Sequence, residues 1–437
     1  MSDASANLQG LRRVFRTLRY RNYRLFFAGQ LTSLAGTWMS LVAMGWLVYR
    51  LTGDPLMLGL VGFCMHVPTF LLSPVAGVLV DRWNRRTMMV AAQSTDMAAM
   101  LVLAALTLSG EVQLWHVFTT CVVLGLVKAF DIPARHALVV EIVEDRGDLS
   151  NAIALNSSMF HGARLIGPVL GGAIIPLVGE NGEGVCFLID GLSYIAVITS
   201  LLLLRLPPGP EPATRKHLLH DMAEGLRYVV GFGPMRSLMG LMAVLALLGV
   251  PYMTLLPVFA EAVLGGDSRT YGLLMAASGG GALMGALYLA ARRSVLGLGR
   301  AIAACTVCFG AALLLFSLSR QLWLSMALLV AAGSLSMVTM AGTNTIIQML
   351  VDDVMRGRVM SFFAMTFMGA MPLGSLLAGQ LARVFGAPAT VMLCGVACVI
   401  AGLTFGYRLP ALRALARPIY IERGIILPTG AAPRAET

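Results

Sequence analysis

The sequence predicts an all-α integral membrane protein of twelve transmembrane helices in two pseudo-symmetric six-helix halves. Three observations carry that prediction. Charged residues make up 12% of the 437 and hydrophobic residues 57%, with a mean hydropathy of +0.79, whereas a soluble chain carries about 25% charge. Apolar runs close to the ~20 residues that cross a bilayer recur twelve times. Basic residues collect in every second loop between those runs. This composition excludes a disordered chain and a water-soluble one.

The chain begins with a basic amphipathic start, residues 1–24, in which Arg12, Arg13, Arg16, Arg19, Arg21 and Arg24 interleave with Val14, Phe15, Leu18 and Tyr23. The apolar run that follows continues from Leu25 to about Val48. That is too long for a signal peptide, so it reads as an uncleaved first span. Further runs cover roughly 56 to 80, 87 to 109, 112 to 130, 153 to 178 and 185 to 204, completing a first half at 25–205. Pro207, Pro208, Pro210 and Pro212 then open a polar linker, 206–235. Within it Leu218, Leu219, Met222, Leu226, Val229 and Val230 recur at helical spacing, which predicts an interfacial helix whose charged face is solvated. Runs at roughly 237 to 260, 271 to 291, 301 to 318, 321 to 347, 359 to 382 and 389 to 409 form the second half, 236–410, followed by a cytoplasmic tail, 411–437.

Twelve spans put both termini on one side, and the positive-inside rule says which. With the amino terminus in the cytoplasm, 27 of the 32 basic residues are cytoplasmic, Lys128 and Arg135 among them. Only Arg50, Arg269, Arg320 and Arg383 stay outside, and Arg164 lies within a span. The net charge of +10 therefore follows membrane topology, and no nucleic-acid partner is expected. The seven cysteines sit in apolar runs and behave as small hydrophobes. Cys305-x-x-Cys308 has apolar neighbours and no second pair at zinc spacing, so no metal is expected.

Self-comparison supports two related halves. Asp145, Gly162, Gly167 and Gly172 recur 207 residues later as Asp352, Gly369, Gly374 and Gly379. Each set follows a short charged loop and opens the fifth span of its half. Parallel six-span repeats place a substrate path at their interface.

The inner end of span two carries Gly77, Asp81, Arg82, Asn84, Arg85 and Arg86. Gly77 admits a neighbouring helix, Asp81 suits a helix amino terminus, and Arg85 or Arg86 can pair with a second carboxylate, for which Asp131 is the candidate. Anchoring of the loop at the interface is the plainer alternative. The pattern resembles the loop-2/3 signature of the major facilitator superfamily, with Asn84 where that family usually has Gly, a residue that tolerates a left-handed turn. The equivalent loop of the second half keeps Gly285 and Arg292-Arg293 but has no acid. In span five, Gly162, Gly167, Pro168, Gly171 and Gly172 resemble the Gly-Pro motif of the superfamily's exporters. Glycines permit close helix contact and Pro168 bends the span, although generic helix packing would use the same residues. Together with Leu51-Thr-Gly-Asp-Pro55 and Phe130-Asp-Ile-Pro-Ala-Arg-His-Ala137, these motifs look like the branch that contains the enterobactin exporter and macrolide efflux pumps. The resemblance implies a proton-driven, substrate-exporting carrier of the bacterial inner membrane.

Ionisable residues inside a bilayer are functional candidates by default. Asp96 in span three, Arg164 in span five and Asp190 in span six qualify, with His161 and His66 at membrane depth. Residue counting from the predicted span ends puts Asp96 and Arg164 at similar depth, about 12 to 14 Å, so they are expected to pair, either as a static ion pair or as a proton-linked one. Gln30, Ser33, Thr37, Ser40 and Met44 share one face of span one. Thr339, Thr343, Asn344 and Gln348 do the same in span ten, while Tyr252 and Met253 stand between Pro251 and Pro257 in span seven. Spans one, four, seven and ten line the central cavity in the superfamily, so these are the substrate candidates, with interhelical hydrogen bonding the alternative. The 27 methionines suit a bulky or amphipathic ligand, and equally serve as membrane filler.

The only lysines, Lys128 and Lys216, lie in no P-loop, and neither His-Glu-x-x-His nor Gly-x-Ser-x-Gly occurs. The expected protein is thus a monomeric secondary carrier with a small-molecule substrate, no cofactor beyond a proton gradient and no enzymatic activity. Nutrient uptake on the same fold is the alternative, ahead of a channel or membrane enzyme.

Overall fold

The computed structural model describes residues 16–80, 83–143, 145–205, 218–292, 294–353 and 355–423. All regular structure among them is helical. Among the described residues eleven continuous helical stretches are long and apolar enough to cross a membrane. One of them, Leu149–Leu203, is two crossings folded back at a tight turn over Gly179–Asn181. The crossings therefore number twelve. Spans one to six are Arg21–Thr52, Pro55–Val80, Arg85–Leu108, Leu114–Ile142, Leu149–Val178 and Gly182–Leu203. A linker helix, Leu218–Gly231, precedes span seven, Gly233–Val263, and spans eight to twelve are Ser268–Ala291, Leu298–Leu318, Leu322–Leu350, Arg356–Phe385 and Ala387–Glu422.

Local chemistry sets the turns. Gly53 ends span one in a left-handed conformation (φ 59°), its N–H donating to the Tyr49 carbonyl at 2.7 Å. The Asp54 carboxylate accepts from Leu56 N–H at 2.9 Å, and Pro55 opens span two. Gly after a helix and Pro at the start of the next is the preferred arrangement for so short a connection. Asn84 is extended, with φ −64°, and caps span three by accepting from Thr87 N–H at 3.1 Å. It thus serves as an N-cap, and the left-handed turn expected of it is not made.

Two spans run past their predicted ends. Span four continues from 130 to Ile142 through Pro133, because Ala134, Leu138 and Val139 bury the next turns. One proline removes a single backbone hydrogen bond, and packing outweighs that loss. Span twelve continues from 409 to Glu422. At ~1.5 Å per residue its 36 residues reach well beyond a ~30 Å hydrocarbon core. Span seven is irregular, with wide π turns at Leu245–Gly249 and Phe259–Val263 flanking a tight 3-10 stretch at Val250–Leu255. Pro251 and Pro257 withhold the N–H groups that a regular helix would use there.

Spans one to six pack chiefly on one another and seven to twelve likewise, while spans five and eight, and two and eleven, join the two sets. By alternation of the crossings, the span ends at Val80, Ile142, Leu203, Ala291 and Leu350 share one face with the helix Leu218–Gly231, called here the linker face. At the opposite face and midway through the bundle the two sets approach closely. A Cβ built at Gly172 would lie 3.0 Å from Gly272 Cα, and one built at Gly379 would lie 3.0 Å from Gly59 Cα. Nearer the linker face span five stays on span one, with the Tyr23 hydroxyl donating to the Ala152 carbonyl at 2.9 Å, and a Cβ at Gly162 would meet nothing within 4 Å.

The linker helix is docked on span eleven. Glu224 pairs with Arg358, and Gly225 lies against Phe362. Its expected charged face is therefore partly engaged by protein, and solvation alone does not describe it. At the other end of the chain the turn Arg16–Arg19 docks on span five in the same way, with Arg16 and Arg19 both pairing to buried Asp148 at 3.0 and 2.9 Å.

Candidate functional site

The glycines of span five sort by helix face. Gly167 abuts Trp38 and Ala35 of span one, Gly171 abuts Met39 and Val42, and Gly172 abuts span eight. Gly162 packs on nothing, which corrects its assignment to the packing motif. Five residues turn a helix by about 140° from Gly167, away from both neighbours. The copies of Gly167 and Gly172 behave alike, Gly374 lying against Leu247 and Pro251 of span seven and Gly379 against Pro55 and Gly59 of span two, whereas Gly369, the copy of Gly162, lies against Phe70 of span two. In each half one glycine meets the first span of its own set and the next meets the other set.

At the linker face Asp81 and Arg82 lie outside the described residues, and Gly77 lies within the span-two helix. Arg85 pairs with Glu141 at 3.2 Å, and Arg86 donates to the carbonyls of Leu202 and Leu204. Neither reaches Asp131. The correction follows from the extension of span four: Glu141 is about 15 Å further along the helix, level with the loop. Asp131 instead pairs with Arg135, one turn on, and accepts from Gln93 Nε2 at 2.8 Å.

Asp131 belongs to a buried polar cluster. Asp96 from span three and Asp190 from span six are 5% and 1% exposed, and Lys128, Asp131, Arg135 and Asp190 are the charges that act on Asp96. Lys128 lies inside the bundle with Nζ 3.9 Å from Met65 Sδ, and among the described residues no carboxylate forms an ion pair with it. Lys128 thus stands within the continuous helix of span four, which does not end at 130. Lys128, Asp190, Ser40, Thr37 and Tyr194 line a cavity of about 10 Å³, a size that admits about one water. Asp96 Oδ1 is buried with no hydrogen-bond partner among the described residues. Gln93, Lys128, Arg135 and Tyr194 were missed as site residues, although Lys128, Asp131 and Arg135 stand at helical spacing in the sequence.

Arg164 is not part of this cluster. Its Nη2 lies 3.4 Å from Met253 Sδ, its guanidinium sits 5.4 Å from the Trp38 ring centre, and its Nε is buried without a partner. The expected pairing with Asp96 is not made. Span five begins at Leu149, so Arg164 is about 22 Å along it against about 16 Å for Asp96 in span three, and span three packs on spans four and six. Arg164 faces the junction of the halves, against Gly279 of span eight. His161 is buried with Nδ1 unpartnered, and His66 Nδ1 is 2.9 Å from the Gly62 carbonyl.

The span-one stripe points inward, not to the central path. Gln30, Ser33 and Ser40 are buried; Thr37 donates to the Ser33 carbonyl at 3.0 Å and lies 3.4 Å from Tyr194 Oη. The close packing of span one on span six decides this, since a Cβ at Gly36 would lie 2.7 Å from Asp190 Oδ1. Span one instead turns Trp38 toward Arg164 of span five and Trp46 toward Tyr271 of span eight in the second half. In span seven Tyr252 is buried, with its hydroxyl 2.7 Å from Ser278 Oγ, while Met253 is half-buried. In span ten Thr343 is buried with an unpartnered hydroxyl, and Gln348 donates to Asn344 at 3.3 Å on the more exposed side.

Twelve crossings, joined face to face by spans five and eight and by spans two and eleven, form an architecture with known relatives. A family model described as transmembrane secretion effector matches residues 13–418. The chain belongs to this family of major facilitator transporters. The chain is 25% identical over 386 residues to the staphyloferrin A transporter of Staphylococcus aureus, covering 87% of this chain and 95% of that protein. It is 26% identical over 400 residues to the multidrug efflux pump Tap of Mycolicibacterium fortuitum, covering 90% and 96%. Among solved structures, a mutant of the nucleoside transporter NupG superposes with a TM-score of 0.71 at 12% identity, over 89% of this chain and 99% of that one. An inward-facing, unoccupied bacterial homologue of the lysosomal transporter Spinster gives 0.65 at 15% identity, over 92% and 98%. This major facilitator protein is therefore a multi-pass membrane transporter.

Proposed function

We propose that this transporter exports a small, bulky or amphipathic molecule across the cell inner membrane by alternating access, as a monomer and in exchange for protons. The observation that carries the reading is the close contact of the halves at the opposite face, glycine on glycine at Gly172 and Gly272 and at Gly379 and Gly59. Basic residues dominate the linker face, so it is the cytoplasmic one, and a conformer closed at the opposite face is the one that loads a cytoplasmic substrate for export. The named efflux activity of Tap supports the direction. Asp190, facing Lys128 across a water-sized cavity, and buried Asp96, whose Oδ1 has no hydrogen-bond partner among the described residues, suit the proton step, since ionisable groups inside a bilayer mark proton relays. Arg164, free of any carboxylate among the described residues, stands beside the path and suits an anionic group on the substrate.

Transport into inverted membrane vesicles tests this. Accumulation should collapse on addition of a protonophore and fail in Asp96→Asn, which should retain downhill exchange. Accumulation that survives without a proton gradient would reject proton exchange, and accumulation only in right-side-out vesicles would indicate uptake.

A further inference from the structure

A second site lies far from the buried cluster. The extension of span twelve beyond its predicted end, with the starts of spans seven and nine and the end of span ten, encloses a cavity of about 390 Å³ at the linker face of the second half. Its inner wall is apolar, formed by Leu238, Ile346, Leu350, Phe405 and Leu409. Its rim carries Arg300, Arg413 and Arg417, with the Tyr420 hydroxyl, and no Asp or Glu lines it.

Arg300 and Arg413 share the rim of one cavity, and neither ion-pairs among the described residues. Like charges gathered over an apolar pocket are unfavourable without a counter-ion. A soluble anion would satisfy the rim and leave the wall unused. A membrane anion with hydrocarbon tails satisfies both, and the site stands at the level of lipid headgroups, where basic pockets between helices bind anionic lipid.

We propose that this cavity binds an anionic phospholipid, its phosphate on Arg300 and Arg413 and its acyl chains along Leu238, Phe405 and Leu409. The lipid braces the start of span seven against span twelve, at the entry to the irregular helix.

The test is native mass spectrometry of the full chain in detergent, titrated with phosphatidylglycerol, with phosphatidylcholine of the same chains, or with glycerol phosphate. Phosphatidylglycerol should bind saturably and weaken about fivefold for each arginine removed in Arg300→Gln and Arg413→Gln, while Arg408→Gln, outside the cavity, should bind as wild type. Equal retention of phosphatidylcholine, or unchanged phosphatidylglycerol affinity in both single variants, would overturn the proposal. Competition by glycerol phosphate at the lipid's own concentration would also overturn it, by identifying a soluble phosphate-ester site. The single variants remove half-exposed or exposed cations, and a matching thermal midpoint without lipid confirms their fold.

Discussion

A methyl-sized probe at the junction of the halves measures how far the described conformation depends on close glycine contact. In Gly172→Ala the new Cβ would lie 3.0 Å from both Gly272 Cα and the Ser268 carbonyl oxygen. Both are backbone atoms, so no rotamer change relieves the contact and spans five and eight must separate. Overpacking of this kind costs about 1 to 3 kcal/mol, and that cost falls only on the conformer closed at the opposite face. The ratio of conformers should therefore move about 5- to 150-fold toward the state open there. Gly162→Ala, nearly three turns earlier on the same span, meets nothing within 4 Å. It should leave the ratio unchanged and gain a few tenths of a kcal/mol or more from helix propensity. The assay is the distance distribution between spin labels at Leu177 and Trp323, exposed residues on opposite halves at that face, in a background lacking Cys64, Cys305 and Cys308. A longer distance in Gly172→Ala but not in Gly162→Ala is expected. Identical distributions in a folded Gly172→Ala protein would refute the claim that this contact holds the closed face.

Further expectations concern the charges. Asp96→Ala and Arg164→Ala should be additive within about 0.5 kcal/mol in thermal stability, because no contact joins them; rescue of one by the other would show a pairing in some other conformer. Arg135→Ala removes the charged partner of buried Asp131 and should destabilise the protein by about 2 kcal/mol, read as a lower thermal midpoint, with Gln93→Ala in addition lowering it again. Lys128→Met should impair uphill transport more than Lys216→Met, which lies in the polar linker; equal effects would remove Lys128 from the coupling mechanism. Arg164→Ala should raise the KM for an anionic substrate and leave that for a neutral one nearly unchanged, as measured by vesicle uptake.

The membrane class, the twelve crossings and the positions of most spans follow from sequence alone, because the cost of placing a polar group in hydrocarbon acts residue by residue and leaves a one-dimensional trace. The 207-residue glycine repeat was equally legible, and it placed Gly172 and Gly379 correctly at close contacts. Which contact each glycine makes was not, since that depends on the azimuth of two helices about each other, and Gly162 carries the same spacing with no neighbour at all. The ion pairs were lost for a related reason. Hydropathy marks where lipid ends, not where a helix ends, and the extra turns of span four moved Lys128, Asp131 and Arg135 from a loop into the bundle. Only the tertiary structure decided that Asp96 faces Lys128's cluster while Arg164 faces Met253 and Trp38. Depth along a span is a property of sequence, whereas partnership requires that two particular helices be neighbours.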